Sequence, residues 1–285
     1  MKMKLKKRIL AVVLSCVTLM NIISLPVQAA TTVYEKEPNN TRETAMAITA
    51  NRETPAQAVS GSKPNQYVVD GSTSSGDEDW FKVYLDAGTQ YVTLNGDSYF
   101  NFEVYSESSS IPIISDEYIK TGFGSKAYDF RVATAGYYYV RIYTNMSSIR
   151  DYSLLVGDPV YTVASCTVEL GSVTMQGSDS SSSADLRWET EIPEGAIVYS
   201  MTVNNVRSTA VDGIAVRNRT TNNTINLDRY TWSKRGLVSL SMPIRSNWQI
   251  IFEYSRDITF SPTITFQYVY PVTSEYVEDH ITIIP

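Results

Sequence analysis

Apolar and polar residues alternate in short stretches along almost the whole chain, and this pattern limits the fold more than any other feature. In the stretch WFKVYL at 80–85, for example, Phe81, Val83 and Leu85 share one face of a strand. Successive side chains of a β-strand point to opposite sides, so such a stretch can bury one face and expose the other. The pattern predicts strands in the first half of the chain at 80–85, 90–94, 101–105, 128–133, 137–143 and 152–156.

Glycine and polar residues separate these stretches at short intervals, which is typical of an all-β sandwich or barrel. The segment GDP at 157–159 marks a boundary, and a polar loop is predicted at 177–183 and one helix at 41–50. The predicted fold class is all-β, with two tandem β-sandwich modules at 30–157 and 158–285. Strands of the second module are predicted at 160–170, 185–189, 196–204, 213–218, 224–227, 236–242, 248–255 and 263–270.

The N-terminus has the three parts of a secretory signal peptide. MKMKLKKR at 1–8 carries five positive charges, an apolar run follows at 9–25, and Val27 and Ala29 stand before a cleavage point. This order predicts a signal peptide at 1–29 and a secreted protein, either free or associated with the cell surface. A retained membrane anchor and lipidation of Cys16 are the alternatives, although the apolar run is short for a spanning helix of about 20 residues.

Removal of the signal peptide makes the chain strongly acidic. The whole chain has 24 Lys and Arg residues and 30 Asp and Glu residues, and five of the basic residues lie at 1–8. The remaining chain therefore has 19 basic and 30 acidic residues, a net charge of −11. This charge argues against nucleic acid and anionic membrane surfaces as partners and is compatible with bound cations.

Two acidic segments stand about 40 residues apart in the first module. EKEPNN at 35–40 supplies two carboxylates and two amides, and the DED run at 77–79 directly precedes the strand at 80–85. Carboxylate and amide oxygens are hard ligands, and calcium accepts six to eight of them in irregular geometry. If the first segment folds back on the start of the strand, the two segments form an oxygen cage. The alternative is an acidic, solvated segment followed by an ordinary strand.

Four blocks of the first module resemble the bacterial pre-peptidase C-terminal domain, a family that includes the collagen-binding domains of clostridial collagenases. The blocks are EPNNT at 37–41, GDEDWF at 76–81, GYYYV at 136–140 and YSL at 152–154. Their order and approximate spacing are kept over residues 33–157. The resemblance implies a jelly-roll-like β-sandwich for this module.

The resemblance also implies that this module binds calcium as a cofactor. Asn40 departs from the pattern, because calcium-binding members often have Asp at this position. The implied metal ligands are Glu35, Glu37, Asn39, Asn40, Asp77 and Asp79.

The strand at 137–143 supplies a candidate contact surface. Tyr139, Arg141 and Tyr143 share one face of it, and Tyr and Arg are enriched at binding hot spots. In the collagenase relatives, tyrosines of this region contact collagen, which makes these three residues the predicted ligand-binding set. The alternative is that these side chains pack and pair within the sandwich.

The sequence offers little for catalysis. His280 is the only histidine and lies six residues from the end, so a Ser-His-Asp or Cys-His arrangement is not expected. Cys166 is the only cysteine after Cys16, which excludes an intramolecular disulfide after signal cleavage, and its strand pattern predicts a buried apolar role. Trp188, Trp232 and Trp248 are expected in the core, with an exposed carbohydrate-binding platform as the alternative.

These observations predict a secreted, non-catalytic binding or accessory protein. Its expected partner is an extracellular protein of collagen-like type or a polysaccharide, with no membrane insertion after signal cleavage and with the oligomeric state left open. The first alternative is a scaffold or export-assisting partner of a secreted peptidase or a cell-surface assembly. The second is a hydrolase with a carboxylate pair in a cleft of the second module.

Overall fold

The computed structural model describes residues 29–97, 99–120 and 124–273, and the all-β prediction is confirmed. The predicted signal peptide, apart from Ala29, and His280 lie outside the described residues. None of the helices in the described residues is long and apolar enough to cross a membrane.

Among the described residues, those up to Gly157 form ten strands and one helix. They make two five-stranded sheets with the orders β1-β3-β10-β5-β8 and β2-β4-β9-β6-β7. The elements are β1 (Thr31–Tyr34), β2 (Met46–Ala47), α1 (Pro55–Ser60), β3 (Tyr67–Thr73), β4 (Glu78–Leu85), β5 (Gly88–Gly96), β6 (Phe100–Ser106), β7 (Ile114–Tyr118), β8 (Lys126–Val132), β9 (Gly136–Tyr143) and β10 (Arg150–Gly157).

The alternation in the sequence decides which side chains enter the core between these sheets. Phe81, Val83 and Leu85 of β4 have no exposed surface, and Val140 and Ile142 of β9 lie in the same hydrophobic cluster. Burial of a side chain of this size stabilises a fold by about 1.5–3 kcal/mol. The side chains on the opposite faces of β4 and β9 do not enter this core and are available for other interactions.

The predicted helix at 41–50 is wrong. Thr41 and Thr44 hydrogen-bond to each other's backbone and form a turn there, and β2 pairs in parallel with β4. Side-chain hydroxyls that bond to the local backbone compete with helix formation. The packing of Met46 and Ile48 against the core then favours an extended chain.

The helix begins later, at Pro55. Thr54 is its N-cap, and the Thr54 hydroxyl and the Gln57 side chain each accept from the other residue's backbone N–H. Proline at the first helical position and the left-handed Gly61 at the end complete the local signals. The helix has only six residues, too few for an apolar period to be visible in the sequence.

The second half contains ten further strands, which form two four-stranded sheets, β11-β20-β14-β17 and β13-β18-β15-β16, and the pair β12-β19. A second hydrophobic cluster, centred on Trp248, Phe252 and Phe266, lies between them. The elements are β11 (Tyr161–Glu169), β12 (Val173–Met175), β13 (Ser180–Asp185), β14 (Ile197–Asn204), β15 (Val211–Asn218), β16 (Thr224–Asn226), β17 (Ser233–Arg235), a 3-10 helix (Val238–Leu240), β18 (Asn247–Tyr254), β19 (Ile258–Phe260) and β20 (Thr263–Pro271).

Three predictions in this half are wrong in whole or in part. Of the predicted loop at 177–183, residues 180–183 belong to β13, because this strand pairs along its whole length with the apolar strand β18. The predicted strand at 185–189 is mainly a turn. The predicted strand at 236–242 is a 3-10 turn between the positive-φ residues Gly236 and Ser241. Leu237 and Met242 of that segment are buried without any strand pairing.

β10 ends at Gly157, whose backbone lies close to the backbone of Asn51. A Cβ atom at this position would lie 2.5 Å from the carbonyl oxygen of Asn51, and the φ of Gly157 is +136°. Asn51 is fully buried and donates from its side-chain nitrogen to the carbonyl of Asp158 at 2.6 Å. The two hydrophobic clusters lie on either side of this point in the sequence, and the division into modules at 157 stays a prediction.

Candidate metal centre

The segment at 35–39 lies against the start of β4 and the middle of β3, which belong to different sheets of the first sandwich. The backbone N–H of Trp80 donates to the carbonyl of Asn39 at 2.9 Å, and the N–H of Glu35 donates to the carbonyl of Asp70 at 2.9 Å. These bonds bring the first acidic segment to the residues that precede Trp80, as the sequence led us to expect.

Three carboxylates converge at this point. Glu35, Glu37 and Asp79 each offer an oxygen, and these oxygens all lie within 4.8 Å of one another. Glu37 is exposed, Glu35 is half-buried, and Asp79 has no exposed surface. Three like charges at such distances repel one another strongly unless a cation or protons compensate them.

Hydrogen bonds hold the carboxylates in place. The Tyr152 hydroxyl lies 3.1 Å from Glu35 Oε1 and 2.9 Å from Asp79 Oδ2. The Asn39 side chain donates to Glu35 Oε1 at 2.7 Å, and the backbone N–H of Ser72 donates to Glu35 Oε2 at 3.0 Å. Glu35 is therefore oriented by three neighbours from different parts of the chain.

Two buried oxygens in this cluster lack a hydrogen-bond partner among the described residues, Asp79 Oδ1 and Asn39 Oδ1. Burial, and then the negative charge of Glu35, raise the pKa of Asp79 to about 9. An unpartnered polar atom in the interior costs free energy of about 1–3 kcal/mol, and more if it is charged. A hard divalent cation would offset that cost, so the residues fit calcium in donor type and in charge.

Asn40 and Asp77 lie at the rim of the cluster. The Asn40 side chain donates to Asp77 Oδ1 at 3.2 Å, and Asp77 lines the same open cavity of about 760 Å³ as Glu35 and Glu37. All six predicted ligands are thus placed in one region, four of them in direct contact and two beside them. Their role as ligands stays a prediction.

Sequence reasoning missed two residues of the centre. The Tyr152 hydroxyl bridges two carboxylates, and Gly71 lets the backbone of β3 approach them: a Cβ atom there would lie 2.6 Å from both Glu35 Oε2 and the Tyr152 hydroxyl. Tyr152 belongs to the YSL block, which carried part of the resemblance but no predicted role at the metal site. The contact arises from the packing of β10 beside β3.

The predicted ligand-binding residues lie on the outer face of β9 and are buried to different extents. Tyr139 is only 9 % exposed and packs with Trp80 and Tyr105, and the Arg42 guanidinium lies 4.3 Å from the centroid of the Tyr105 ring. Tyr139 therefore has a packing role, and little of its surface is open to a ligand.

Arg141 and Tyr143 remain half-buried next to it. Arg141 forms ion pairs with Glu103 at 2.9 Å and with Glu78 at 2.5 Å, and its guanidinium lies 4.2 Å from the Tyr143 ring centroid. These ion pairs raise the pKa of Arg141 despite its partial burial. The more exposed aromatic pair of this face is a different one, Tyr84 and Tyr137, with ring centroids 5.5 Å apart.

The aromatic residues of the second half do not form a platform. Trp232 and Trp248 are buried in the hydrophobic cluster, as expected, whereas Trp188 is 82 % exposed. Cys166 is half-buried against the same cluster, and burial raises its pKa to about 11. An unreactive thiol is consistent with the predicted packing role of Cys166.

No protein-family model matches the chain, and no curated protein matches it. Among solved structures, the pre-peptidase C-terminal domain of collagenase from Bacillus anthracis is 16% identical with a TM-score of 0.30, covering 43% of this chain and 99% of that chain. The triple jelly-roll turret protein of an archaeal virus is 18% identical with a TM-score of 0.27, covering 71% of this chain and 58% of that chain. The PBSX exported protein XepA is 10% identical with a TM-score of 0.24, covering 70% of this chain and 84% of that chain.

Proposed function

We propose that this chain is an exported, non-catalytic binding protein whose first sandwich holds a calcium ion and presents a tyrosine-bearing face to an extracellular polymer. The observation that carries the metal part is the pair of buried, unpartnered oxygens on Asp79 and Asn39. They lie beside Glu35 and Glu37, whose carboxylates complete an oxygen-rich cluster.

Calcium suits this donor set better than zinc does. All the candidate ligand atoms are carboxylate or amide oxygens, and Cys166 belongs to a different sandwich. Zinc sites are built mainly from Cys and His, whereas calcium accepts six to eight oxygens in irregular geometry. Glu35, Glu37, Asn39 and Asp79 would hold the ion, which supplies positive charge and no redox chemistry.

The ion would join the acidic segment at 35–39 to β4. Asp79 is followed directly by Trp80, whose side chain packs on the opposite, outer face beside Tyr105 and Tyr139. An ion that fixes the position of the start of β4 would therefore also fix the aromatic side chains on the outer face of the sheet that contains β9. This connection gives a physical reason for calcium-dependent binding by the tyrosine-bearing face.

The polymer-binding part is supported by the exposed aromatic pair. Tyr84 and Tyr137 are each about half exposed, and the Lys82 ammonium lies 4.5 Å from the Tyr137 ring centroid. Tyrosine supplies a large rigid contact area with a polar tip, which suits both collagen-like chains and sugar rings. Arg141 and Tyr143 extend this surface along β9.

The test is co-sedimentation of the chain with insoluble collagen, chitin, cellulose and peptidoglycan, each with calcium and with chelator. We expect saturable pelleting with one polymer, and weaker pelleting of a variant with Tyr84→Ala, Tyr137→Ala and Tyr143→Ala. Tyr230→Ala is the matched control, because Tyr230 is 74 % exposed in the other half of the chain. Equal pelleting of the two variants would refute the assignment of this face.

Failure to pellet with any polymer would favour the scaffold or export-assisting alternative. The hydrolase alternative expects two facing carboxylates in a cleft of the second half. In the second half, a groove beside β11 is lined by four carboxylates, one of them that of Asp185. The pKa of Asp185 is lowered to about 2 by its hydrogen bonds to Arg187. A general acid needs a raised pKa, so Asp185 does not suit that role.

A further inference from the structure

The strand β11 forms a long edge of its sheet, and the N–H of its first residue, Tyr161, donates to Glu53 Oε2 at 3.3 Å. Its nine residues pair with β20 in uninterrupted register from Tyr161↔Pro271 to Glu169↔Thr263. Within residues 29–97, 99–120 and 124–273, no strand pairs with the other side of β11. The outward backbone N–H and C=O groups of an edge strand are available to another chain.

The other edges of the four large sheets are short or carry features that discourage pairing. β2, β16 and β17 have two or three residues, β1 has four, and β13 is joined to the preceding chain by the hydrogen bond from the Ser182 hydroxyl to the Leu170 carbonyl at 2.7 Å. β8 carries Lys126, Asp129 and Arg131, and β7 carries Asp116 and Glu117. By contrast, the stretch TVASCTV at 162–168 in β11 contains no charge, proline or glycine, which are the usual means of blocking an edge.

A groove of about 910 Å³ follows this edge. Every residue from 162 to 169 lines it, and because successive side chains of a strand alternate, the groove must run along the edge rather than over one face. Tyr268 of β20 contributes to one side, and Leu186, Ile192 and Pro193 of the segment between β13 and β14 contribute to the other. The groove thus lies between the edges of the two sheets.

The groove is acidic. Four carboxylates line it, from Glu169, Asp185, Glu189 and Glu191, and no Lys or Arg is among the lining residues. The Asp185 carboxylate is paired with Arg187 at 2.6 Å. Glu189 and Glu191 are exposed.

The Glu189 and Glu191 carboxylates border the inner side of the groove. Burial and the nearby charge of Glu189 raise the pKa of Cys166, and burial together with Glu191 acts in the same direction on Tyr268. Cys166 and Tyr268 both contact the hydrophobic cluster of this sandwich. A side chain that entered the groove from an added strand would therefore meet negative charge.

We propose that the free edge of β11 accepts an extended, basic segment of a partner protein as an additional strand. The backbone of that segment pairs with β11, and its Lys or Arg side chains at alternate positions face Glu189 and Glu191. Its remaining side chains lie over the exposed face of β11, where Val163 is 45 % exposed. Main-chain pairing supplies affinity in this mode of recognition, and the alternate side chains supply specificity.

The charge of the groove argues for a basic partner over two other occupants. The segment at 274–285 of this chain carries Glu275, Glu278 and Asp279, which have the same sign as the groove. A second copy of β11 would bring its own Glu169, Glu189 and Glu191 to the contact. Like charges brought together in this way weaken association.

Trp188 provides a reporter for this binding. It lies between Leu186 and Glu189, which both line the groove, and it is 82 % exposed, whereas Trp80, Trp232 and Trp248 are buried. Fluorescence of the full chain is therefore expected to change when the groove is filled, and Trp188→Phe is expected to remove the change.

The experiment is titration of the full chain with a capped heptapeptide of alternating lysine and valine. We expect saturable binding of this peptide and none of its glutamate–valine counterpart. Combined Glu189→Gln and Glu191→Gln substitutions are expected to weaken binding by about 3- to 30-fold, as for two exposed ion pairs. Glu194→Gln is the matched control, because Glu194 is in the same segment but does not line the groove, and it is expected to bind as the unchanged chain does.

A second peptide separates strand pairing from simple charge attraction. In this peptide every backbone nitrogen is methylated, so that it keeps the lysines but lacks N–H donors, and we expect it not to bind. Equal binding of the methylated peptide would overturn the proposal of an added strand. Equal binding by the Glu189→Gln, Glu191→Gln chain would overturn the assignment of the groove, and neither result bears on the calcium site of the other sandwich.

Discussion

The substitution Asp79→Asn tests the metal centre most directly. Asparagine keeps the size and shape of the buried side chain but removes one negative charge beside Glu35 and Glu37. It can still accept the hydrogen bond that the Tyr152 hydroxyl donates to Asp79 Oδ2. We expect the variant to lose its stabilisation by calcium, and to be at least as stable as the unchanged chain in chelator, because asparagine avoids the free-energy cost of burying a carboxyl, ionised or protonated, beside Glu35.

The size of the effect follows from mass action. A ligand that binds only the folded state stabilises it by about 2.7 kcal/mol when its free concentration is a hundred times its dissociation constant. For a chain of this size, about 1 kcal/mol corresponds to roughly 2–4 °C in melting temperature. Calcium in such excess is therefore expected to raise the melting temperature by roughly 5–11 °C, and the shift is expected to vanish in Asp79→Asn.

The assay is calorimetric melting of both proteins with calcium and with chelator. Asp129→Asn on β8 is the matched control, because Asp129 is an exposed aspartate of the same sandwich outside the acidic cluster, and it is expected to keep the full shift. Identical melts of the unchanged chain in calcium and in chelator would refute the site. A full shift that persists in Asp79→Asn would refute the role of this carboxylate.

Two further perturbations test the environment of buried carboxylates. Burial raises the pKa of Glu53 above 4.5, so the folded chain holds this proton more tightly than the unfolded chain, and stability from this group falls as pH rises past about 4.5. Glu53→Gln is expected to reduce that fall in urea midpoints measured between pH 4 and 7, and an unchanged pH dependence would contradict it. Gly71→Ala places a Cβ atom 2.6 Å from Glu35 Oε2 and is expected to cost about 1–3 kcal/mol and to weaken calcium binding in calorimetric titration. Gly136→Ala, where a Cβ atom would meet nothing within 4 Å, is its control, and equal calcium affinities of the two variants would contradict the close approach.

The period of two in the sequence was enough to predict the core strands. Phe81, Val83 and Leu85 were assigned to one face from their alternation alone, and all three are fully buried. This succeeds because the direction of a side chain in a strand depends only on its place in the local backbone. The period did not join the segment at 35–40 to the residues before Trp80; that candidate site followed from the residue types of the two segments and from the resemblance of the four blocks.

Local reasoning failed where pairing with a distant strand outweighed composition. The run of serines in β13 is extended because β18 supplies backbone partners along its length, and no property of serine indicates this. In the segment at 41–50, the part after the turn is likewise extended by the pairing of β2 with β4 and by the packing of Met46. In both places a contact remote in sequence replaced the local preference.

The sequence by itself determined the class of the fold, the core faces of its strands and the residue types available for a metal. Only the tertiary structure decided that Tyr152 and Gly71 meet Glu35, that Tyr139 is covered by Arg42, and that β11 lies at an open edge beside Glu189 and Glu191. These features depend on which strands become neighbours. That choice is made by the packing of whole sheets, and it is not contained in the period of any single strand.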